Sequence, residues 1–255
     1  MSVTNERKIT KLLDLHQPGT VLLASWLKGN GISYTLQHSY VRNGWLVDFG
    51  VGAFKRPHEN ITWRGGLQAI QHQKHLMIHA GALTALSLAG LVHYARTANE
   101  MIFLFSPPRN LLPAWFKQAL WEHPIHHVQT TLFPDQVGLT AYEDRTFEFT
   151  ISTPERAILE YLHLAPKTLD LVEGYQIMEG LVNLRPDLVQ ELLEKCTSIK
   201  AKRLFLYMAH KAGHQWFQFL ETKKLDVGTG NRHLAKDGVY IAAFKLTVPK
   251  ELQDL

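Results

Sequence analysis

The chain has 255 residues, of which 45% are hydrophobic, with a single cysteine, fourteen histidines and a formal net charge of +4. This composition excludes a globally disordered chain, an intrachain disulfide and a metal cage built on several thiolates. The longest weakly polar run, AGALTALSLAGLV at residues 80–92, is too short to cross a bilayer. The polar N-terminus lacks the apolar stretch of a signal peptide, so we expect a soluble protein in the reducing cytoplasm.

Three helices are predicted near the N-terminus. Apolar residues at helical spacing predict helices over Glu6–His16 and Val21–Lys28, and the glycines of GNGI at 29–32 predict a tight turn. Ser33 is a suitable N-cap for a third helix. In that helix three residues would face inward, namely Leu36, Tyr40 and Val41. The remaining polar residues would point outward, namely Thr35, Gln37, His38, Ser39 and Arg42.

The next stretch, GWLVDFGVGAFKR at 44–56, predicts a two-stranded β-ribbon with its tip at Gly50–Gly52. This order of helices and ribbon is typical of a winged helix-turn-helix domain, whose third helix enters the DNA major groove. Its base readers would be Gln37, His38 or Arg42, with Lys55 and Arg56 near phosphates. Residues 1–57 hold seven Lys and Arg against three Asp and Glu, so the whole net charge lies there. The alternative is a subdomain that contacts protein, whose affinity would depend little on salt.

A larger region follows Pro57, and the predicted fold class is α/β (α+β): a winged helix-turn-helix at 1–57, then a mixed α/β domain at 58–255. Thr153 is a predicted N-cap and Pro154 a predicted first helical residue. The other predicted helices are Leu67–Lys74, Gly81–Gly90, Trp115–Trp121, Leu169–Leu181, Pro186–Cys196 and Lys200–Lys211. The predicted strands are EMIFLFSPP, HHVQTTLF, GLTAYE, TFEFTIS and VYIAAFKLTVP.

Several groups in this region carry side chains that can bind ligands or react. His72, His75 and His79 have the spacing of zinc ligands on one helix, but a solvated face is the favoured interpretation. Cys196 is expected in the core, and Arg156 with Glu160 on a helix surface. The loop DVGTGNR, Asp226–Arg232, would either present amides and a guanidinium to an anion or form a structural turn whose Arg232 pairs internally. A second histidine group lies at His123, His126 and His127. No catalytic residue, metal or cofactor is predicted.

Seven segments resemble AbiEi-type antitoxins of type IV toxin–antitoxin systems, in the family's order and over nearly the whole chain. They are SYTLQHSYVRNGWLVDFGVGAFKRP, GALTALSLAGLVHY, STPERAILEYL, MEGLVNLRPDLVQELLEKC, KAKRLFLYMAHKAGHQWF, DVGTGNR and FKLTVPKEL.

The resemblance implies a bacterial regulator and antitoxin, not an enzyme. Its winged domain would bind operator repeats upstream of its own operon and repress it. Its C-terminal domain would counter a nucleotidyltransferase-like toxin without a stable complex. The resemblance places DNA contacts at Thr35, Gln37, His38 and Arg42 in the recognition helix and at Lys55 and Arg56 in the wing.

The family's C-terminal signature falls on eight positions, to which no catalytic role is assigned: Glu155, Arg156, Lys202, Arg203, Asp226, Gly228, Gly230 and Arg232. Asn231 stands where the family often has lysine. Two alternatives remain beside the antitoxin: a winged-helix regulator that senses a small anionic ligand without a toxin partner, and an enzyme acting on nucleotides or RNA. An adjacent nucleotidyltransferase-like gene would favour the antitoxin.

Overall fold

The computed structural model describes residues 10–14, 16–92, 101–134 and 136–254. The predicted first helix is helical at residues 10–14 (α1), and its predicted positions 6–9 and 15 lie outside the described residues. The elements that follow are β1 (Leu22–Leu23), α2 (Ala24–Gly29), α3 (Tyr34–Arg42), β2 (Val47–Gly50) and β3 (Ala53–Lys55). Helix, helix, turn, helix and ribbon therefore follow one another in the predicted order.

The second helix is shorter than predicted, because its first residues form a strand. Leu22 and Leu23 pair antiparallel with Phe54 and Ala53, so the sheet order is β1-β3-β2 and α2 begins only at Ala24. The helices and this sheet enclose a small apolar core: Leu12, Leu22, Leu27, Ile32, Tyr40, Leu46 and Phe54. Val21, Leu23 and Ala53 belong instead to the larger core, so the two cores meet across this sheet.

The remainder of the chain is a mixed α/β structure. Its elements are α4 (Trp63–Lys74), β4 (His79–Ala80), α5 (Ala82–Leu88), β5 (Ile102–Ser106), α6 (Ala114–Gln118), β6 (Ile125–Gln129), β7 (Leu139–Asp144), β8 (Phe147–Ser152), α7 (Pro154–Leu164), α8 (Leu171–Gly180), α9 (Pro186–Lys195), α10 (Ile199–Lys211), β9 (Arg232–His233), β10 (Val239–Ile241), β11 (Leu246–Val248) and α11 (Lys250–Asp254). Among the described residues, 3-10 helices lie at Gln215–Phe219, Thr222–Lys224 and Ala242–Phe244. The predicted mixed α/β fold class is confirmed.

The central sheet has five strands in the order β6-β5-β4-β8-β7. β5 pairs parallel with β6 and antiparallel with β4, while β8 pairs parallel with β4 and antiparallel with β7. All five residues of β5 are buried, as its continuous apolar sequence predicted. The helix α7 packs against α5, α8, α9 and α10, and therefore buries every residue from Glu155 to Leu162.

The predicted last strand, VYIAAFKLTVP, is two strands. β10 and β11 pair antiparallel, and the 3-10 helix Ala242–Phe244 separates them. Lys245 has a φ of 51°, and this left-handed residue turns the chain back so that the two halves become a hairpin. β9 pairs parallel with the other edge of β11. The apolar sequence of this segment gives no sign of the turn between β10 and β11.

Candidate nucleic-acid interface

The helix α3 begins where the sequence predicted. The side chain of Ser33 accepts a hydrogen bond from the amide of Leu36 at 3.4 Å, which caps the helix. Gly31 precedes it with a φ of 86°, a conformation that glycine adopts without strain. Tyr40 is buried in the small core, while Leu36 and Val41 are half-buried against it. These contacts fix which face of α3 remains exposed.

Four residues line the exposed face of α3, namely Tyr34, Thr35, His38 and Arg42. Their spacing of three to four residues places them in a row along the helix. The ammonium group of Lys28 lies over the ring of Tyr34, 5.0 Å from the centroid, beside the first turn. The row combines a phenol, a hydroxyl, an imidazole and a guanidinium, all of which are able to form hydrogen bonds with bases or phosphates.

Gln37 does not belong to this row, and the prediction that it points outward is wrong. Its side chain is only 1% exposed, because its Nε2 donates to the carbonyl oxygens of Ala24 at 3.0 Å and Ile32 at 2.8 Å. Both amide hydrogens are therefore used inside the protein. Gln37 ties α3 to the start of α2 and to the turn between them. Its role is to position the two helices.

The ribbon β2–β3 carries its cations at its base. Lys55 pairs across the ribbon with Val47, the first residue of β2, whereas the tip lies at Gly50–Gly52. The ammonium of Lys55 donates to the carbonyl of Glu59 at 2.9 Å, and both Lys55 and Arg56 are half-buried. At the tip, Val51 is 78% exposed.

The ribbon also packs against the larger part of the protein. Phe49 contacts Trp115 and Trp121, with ring centroids 6.2 Å and 5.9 Å apart. A Cβ atom on Gly50 would lie 2.9 Å from the Cβ of Trp115, closer than two carbon atoms normally approach. Only a glycine allows this contact, so α6 holds the ribbon in place.

The C-terminal signature positions on α7 form ion pairs, one of them with the largely exposed Arg185. Arg185 donates from Nε and Nη2 to the two oxygens of Glu155 at 3.0 and 3.2 Å. Burial alone would raise the pKa of Glu155, but hydrogen bonds from Arg185 lower it below its usual value. Arg156 donates from Nε to Glu160 at 2.8 Å, and both residues are buried. The predicted surface location of the Arg156–Glu160 pair is therefore wrong, because α7 is covered on all sides.

The other signature positions hold the DVGTGNR loop as a structural turn. Lys202 donates to the carbonyl of Asp226 at 2.8 Å. Arg203, which is 2% exposed, donates to three loop carbonyls at distances between 2.6 and 3.0 Å: those of Val227, Gly228 and Gly230. The loop thus turns carbonyls, rather than amides, toward an internal cation. Arg232 is exposed, and its side chain has no partner among the described residues. The arginine that pairs with the loop inside the protein is therefore Arg203 and not Arg232 as predicted.

The histidine groups do not form the patterns that their spacing suggested. His72 and His75 are exposed, but His79 lies in β4, is 4% exposed and contacts Glu160, so its predicted solvated position is wrong. In the second group, Nε2 of His127 lies 2.8 Å from the hydroxyl of Ser106. The described residues contain no cluster suited to a metal ion. Cys196 is 3% exposed, as predicted, and burial raises the pKa of its thiol.

No helix among the described residues has the length and hydropathy needed to cross a membrane.

Two family models together match almost the whole chain. One, described as "Transcriptional regulator, AbiEi antitoxin N-terminal domain", matches residues 5–97. The other, described as "Transcriptional regulator, AbiEi antitoxin, Type IV TA system", matches residues 99–249.

A comparison with solved structures finds the RV2827C protein from Mycobacterium tuberculosis, with a TM-score of 0.60 at 13% sequence identity. The match covers 99% of this chain and 93% of that one, and it supports the fold alone. A comparison with curated proteins gives no match.

Proposed function

This chain belongs to the AbiEi family of antitoxins and transcriptional regulators of type IV toxin–antitoxin systems, and on that premise we propose that it binds operator DNA and represses its own operon. Residues 1–57 act as a winged helix-turn-helix domain. Residues 58–255 counter a nucleotidyltransferase-like toxin without a stable complex. The family consists of regulators, which agrees with the prediction of a protein that is not an enzyme.

The observation that supports DNA binding most directly is the row of exposed side chains on α3. Thr35, His38 and Arg42 point away from the small core and occupy a helix that follows a tight turn. In helix-turn-helix proteins the second helix lies in the major groove, where an arginine recognises guanine through two hydrogen bonds. Arg42 and His38 are therefore the proposed base readers, and Thr35 contacts a base or phosphate at the helix start.

The ribbon supports the same proposal through charge. Lys55 and Arg56 lie at its base, and residues 1–57 carry the whole formal charge excess of the chain. Lysine and arginine side chains that neutralise phosphates release counterions, which supplies sequence-independent affinity. Specificity then comes from α3 and general affinity from the ribbon.

Repression is tested with a reporter gene placed behind the DNA upstream of the protein's own gene. Wild type should lower reporter expression, and the double variant His38→Ala, Arg42→Ala should restore it at equal protein levels. The matched control is Arg232→Ala with His233→Ala, which removes an exposed arginine and histidine from β9. Equal repression by wild type and the α3 variant would contradict the assignment of the base readers.

Antitoxin activity is tested separately, by co-expression with a neighbouring gene that encodes a nucleotidyltransferase-like protein. Cells should grow when both proteins are present and stop growing when the neighbour is expressed alone. The α3 variant should still protect when both genes are driven by independent promoters, because protection is assigned to residues 58–255. Growth arrest despite co-expression would contradict the proposed antitoxin activity, and only the proposed role as a transcriptional regulator would remain.

A further inference from the structure

The helix that follows the ribbon is fixed to the three-stranded N-terminal sheet. The side-chain amide of Gln73, near the end of α4, accepts from the backbone amide of Leu23 at 2.8 Å and donates to the carbonyl of Val21 at 2.6 Å. It pairs with the free edge of β1 as a backbone peptide would, while the other edge of β1 pairs with β3. The last turn of α4 therefore has a defined position beside the ribbon and the two helices.

A groove of about 330 Å³ lies at this junction. Its lining includes Ser25 in the first turn of α2, Tyr34 at the start of α3 and Val51–Gly52 at the ribbon tip. Lys74, the last residue of α4, lines the same groove. Pro113–Trp115 also line it, and the packing of Phe49 on Trp115 holds this segment against the ribbon.

The position of the groove suggests its ligand. In a helix-turn-helix complex the recognition helix lies in the major groove while the preceding helix crosses the sugar-phosphate backbone. Residues at the starts of α3 and α2 line this groove, which puts it beside the elements that would meet the sugar-phosphate backbone. Lys28 lies over the ring of Tyr34, and Lys55 and Arg56 lie at the ribbon base. Lys74 is thus the cation that lines the groove beside the ribbon tip.

The side chain of Lys74 is exposed and has no hydrogen-bond or ion-pair partner among the described residues. We propose that Lys74 binds a phosphate of the DNA backbone in this groove, so that the DNA-binding surface extends past the ribbon onto α4. This proposal rests on the proposed function. A lysine in the last turn also interacts favourably with the helix dipole, but that effect alone requires no DNA. The two roles therefore differ in their dependence on DNA and salt.

The test measures binding of the full-length protein to a short duplex of random sequence at several salt concentrations. Lys74→Ala should weaken binding and make the slope of log K against log salt less negative by about 0.9, the change expected for one lost phosphate contact. Lys74→Gln keeps a polar side chain without the charge and should behave the same way, whereas Lys74→Arg should bind like wild type. The ratio of affinities for the upstream DNA and random DNA should stay constant, because a phosphate contact carries no sequence information.

Lys223→Ala is the matched control, because Lys223 is exposed on the 3-10 helix Thr222–Lys224 and has no side-chain partner among the described residues. One outcome would contradict the Lys74 contact alone: wild type binds DNA, but Lys74→Ala and Lys74→Gln have the same salt slope as Lys223→Ala. The proposed function would then stand. If folded wild type binds neither the upstream nor the random duplex, both are wrong. A melting temperature shared by all variants excludes loss of fold as the cause of weaker binding.

Discussion

The Nε2 atom of His79 lies 3.0 Å from Oε1 of Glu160, although 81 positions separate the two residues in the chain. The same carboxylate accepts from Nε of Arg156 at 2.8 Å, from the hydroxyl of Ser152 at 2.8 Å and from the amide of Ala82 at 3.0 Å. These donors come from β4, α7, β8 and α5. Glu160 therefore joins the central sheet to the helices that cover it, and a fully bonded buried carboxylate favours one arrangement of these elements.

Replacing Glu160 with glutamine should lower the free energy of unfolding by about 3–5 kcal/mol, because the charge of Arg156 would remain buried without its partner. Urea denaturation measures the loss. The control is Glu191→Gln, which removes the exposed partner of Lys195 on α9 and should cost less than about 1 kcal/mol. Equal losses in the two variants would contradict the central position of Glu160.

Stability should fall in acid, and Glu160 should account for part of the fall. Burial would raise the pKa of Glu160, but the charges of His79 and Arg156 and their hydrogen bonds lower it from 4.5 to about 2. The unfolded chain therefore binds a proton at a higher pH than the native protein does. The contribution is complete above pH 4.5 and is lost as the pH falls toward 2. Unfolding midpoints of wild type and Glu160→Gln should converge over this range, and a constant difference would argue against the pKa shift.

Gln37 and His38 are neighbours in sequence with opposite predicted effects. Gln37→Leu should lower the free energy of unfolding by about 1–3 kcal/mol, because the buried carbonyl of Ile32 and the half-buried carbonyl of Ala24 lose a donor. His38→Ala should leave stability within about 0.5 kcal/mol, as is usual for exposed positions. His38→Ala should reduce the preference for upstream over random DNA, which Gln37→Leu should retain where it remains folded. Loss of preference in folded Gln37→Leu, with His38→Ala unchanged, would reverse the two roles.

Removing both ribbon cations should weaken binding to every DNA sequence. Lys55→Ala with Arg56→Ala should reduce the magnitude of the salt slope by about 2, one unit for each phosphate contact. Arg56→Ala alone provides a check, since Lys55 also bonds the carbonyl of Glu59 and its loss affects the turn. The measurement is DNA affinity of wild type and both variants at several salt concentrations. An unchanged affinity and slope would exclude the ribbon base from the interface.

Gly50 tests whether contact with α6 fixes the ribbon. Gly50→Ala would bring a methyl group to 2.9 Å from the Cβ of Trp115, and its φ of +151° is also unfavourable for alanine. Gly44→Ala is the control, because Gly44 has a φ of +71° but open space around it. We expect Gly50→Ala to cost more stability and more DNA affinity than Gly44→Ala. Equal effects would mean that the contact with Trp115 does not position the ribbon.

The N-terminal elements were predictable because their signals are local. Ser33 as a cap, the glycines before it and the alternation of the ribbon act over a few residues. Gln37 was misjudged because helical periodicity treats every polar residue as exposed. Its burial depends on the carbonyls of Ala24 and Ile32, which only the packed structure brings within reach.

The signature positions of the larger region show a similar limit. Arg156 and Glu160 were correctly paired by their spacing, but the spacing does not reveal that other helices cover α7. Arg203 carries no sign in the sequence that it holds a loop more than twenty residues away, at Val227 to Gly230. The DVGTGNR motif can be recognised in the sequence, whereas its contact with Arg203 can be seen only in the folded structure.

The most direct test of the proposed DNA binding uses fluorescence anisotropy of labelled duplexes titrated with the full-length protein. One duplex carries the DNA upstream of the protein's own gene, and the other has the same composition in scrambled order. We predict tighter binding to the upstream duplex and weaker binding to both as salt rises, with the preference reduced by His38→Ala and Arg42→Ala. A folded protein that binds neither duplex, or binds both equally with and without these substitutions, would contradict the assignment of α3 as a DNA-reading helix.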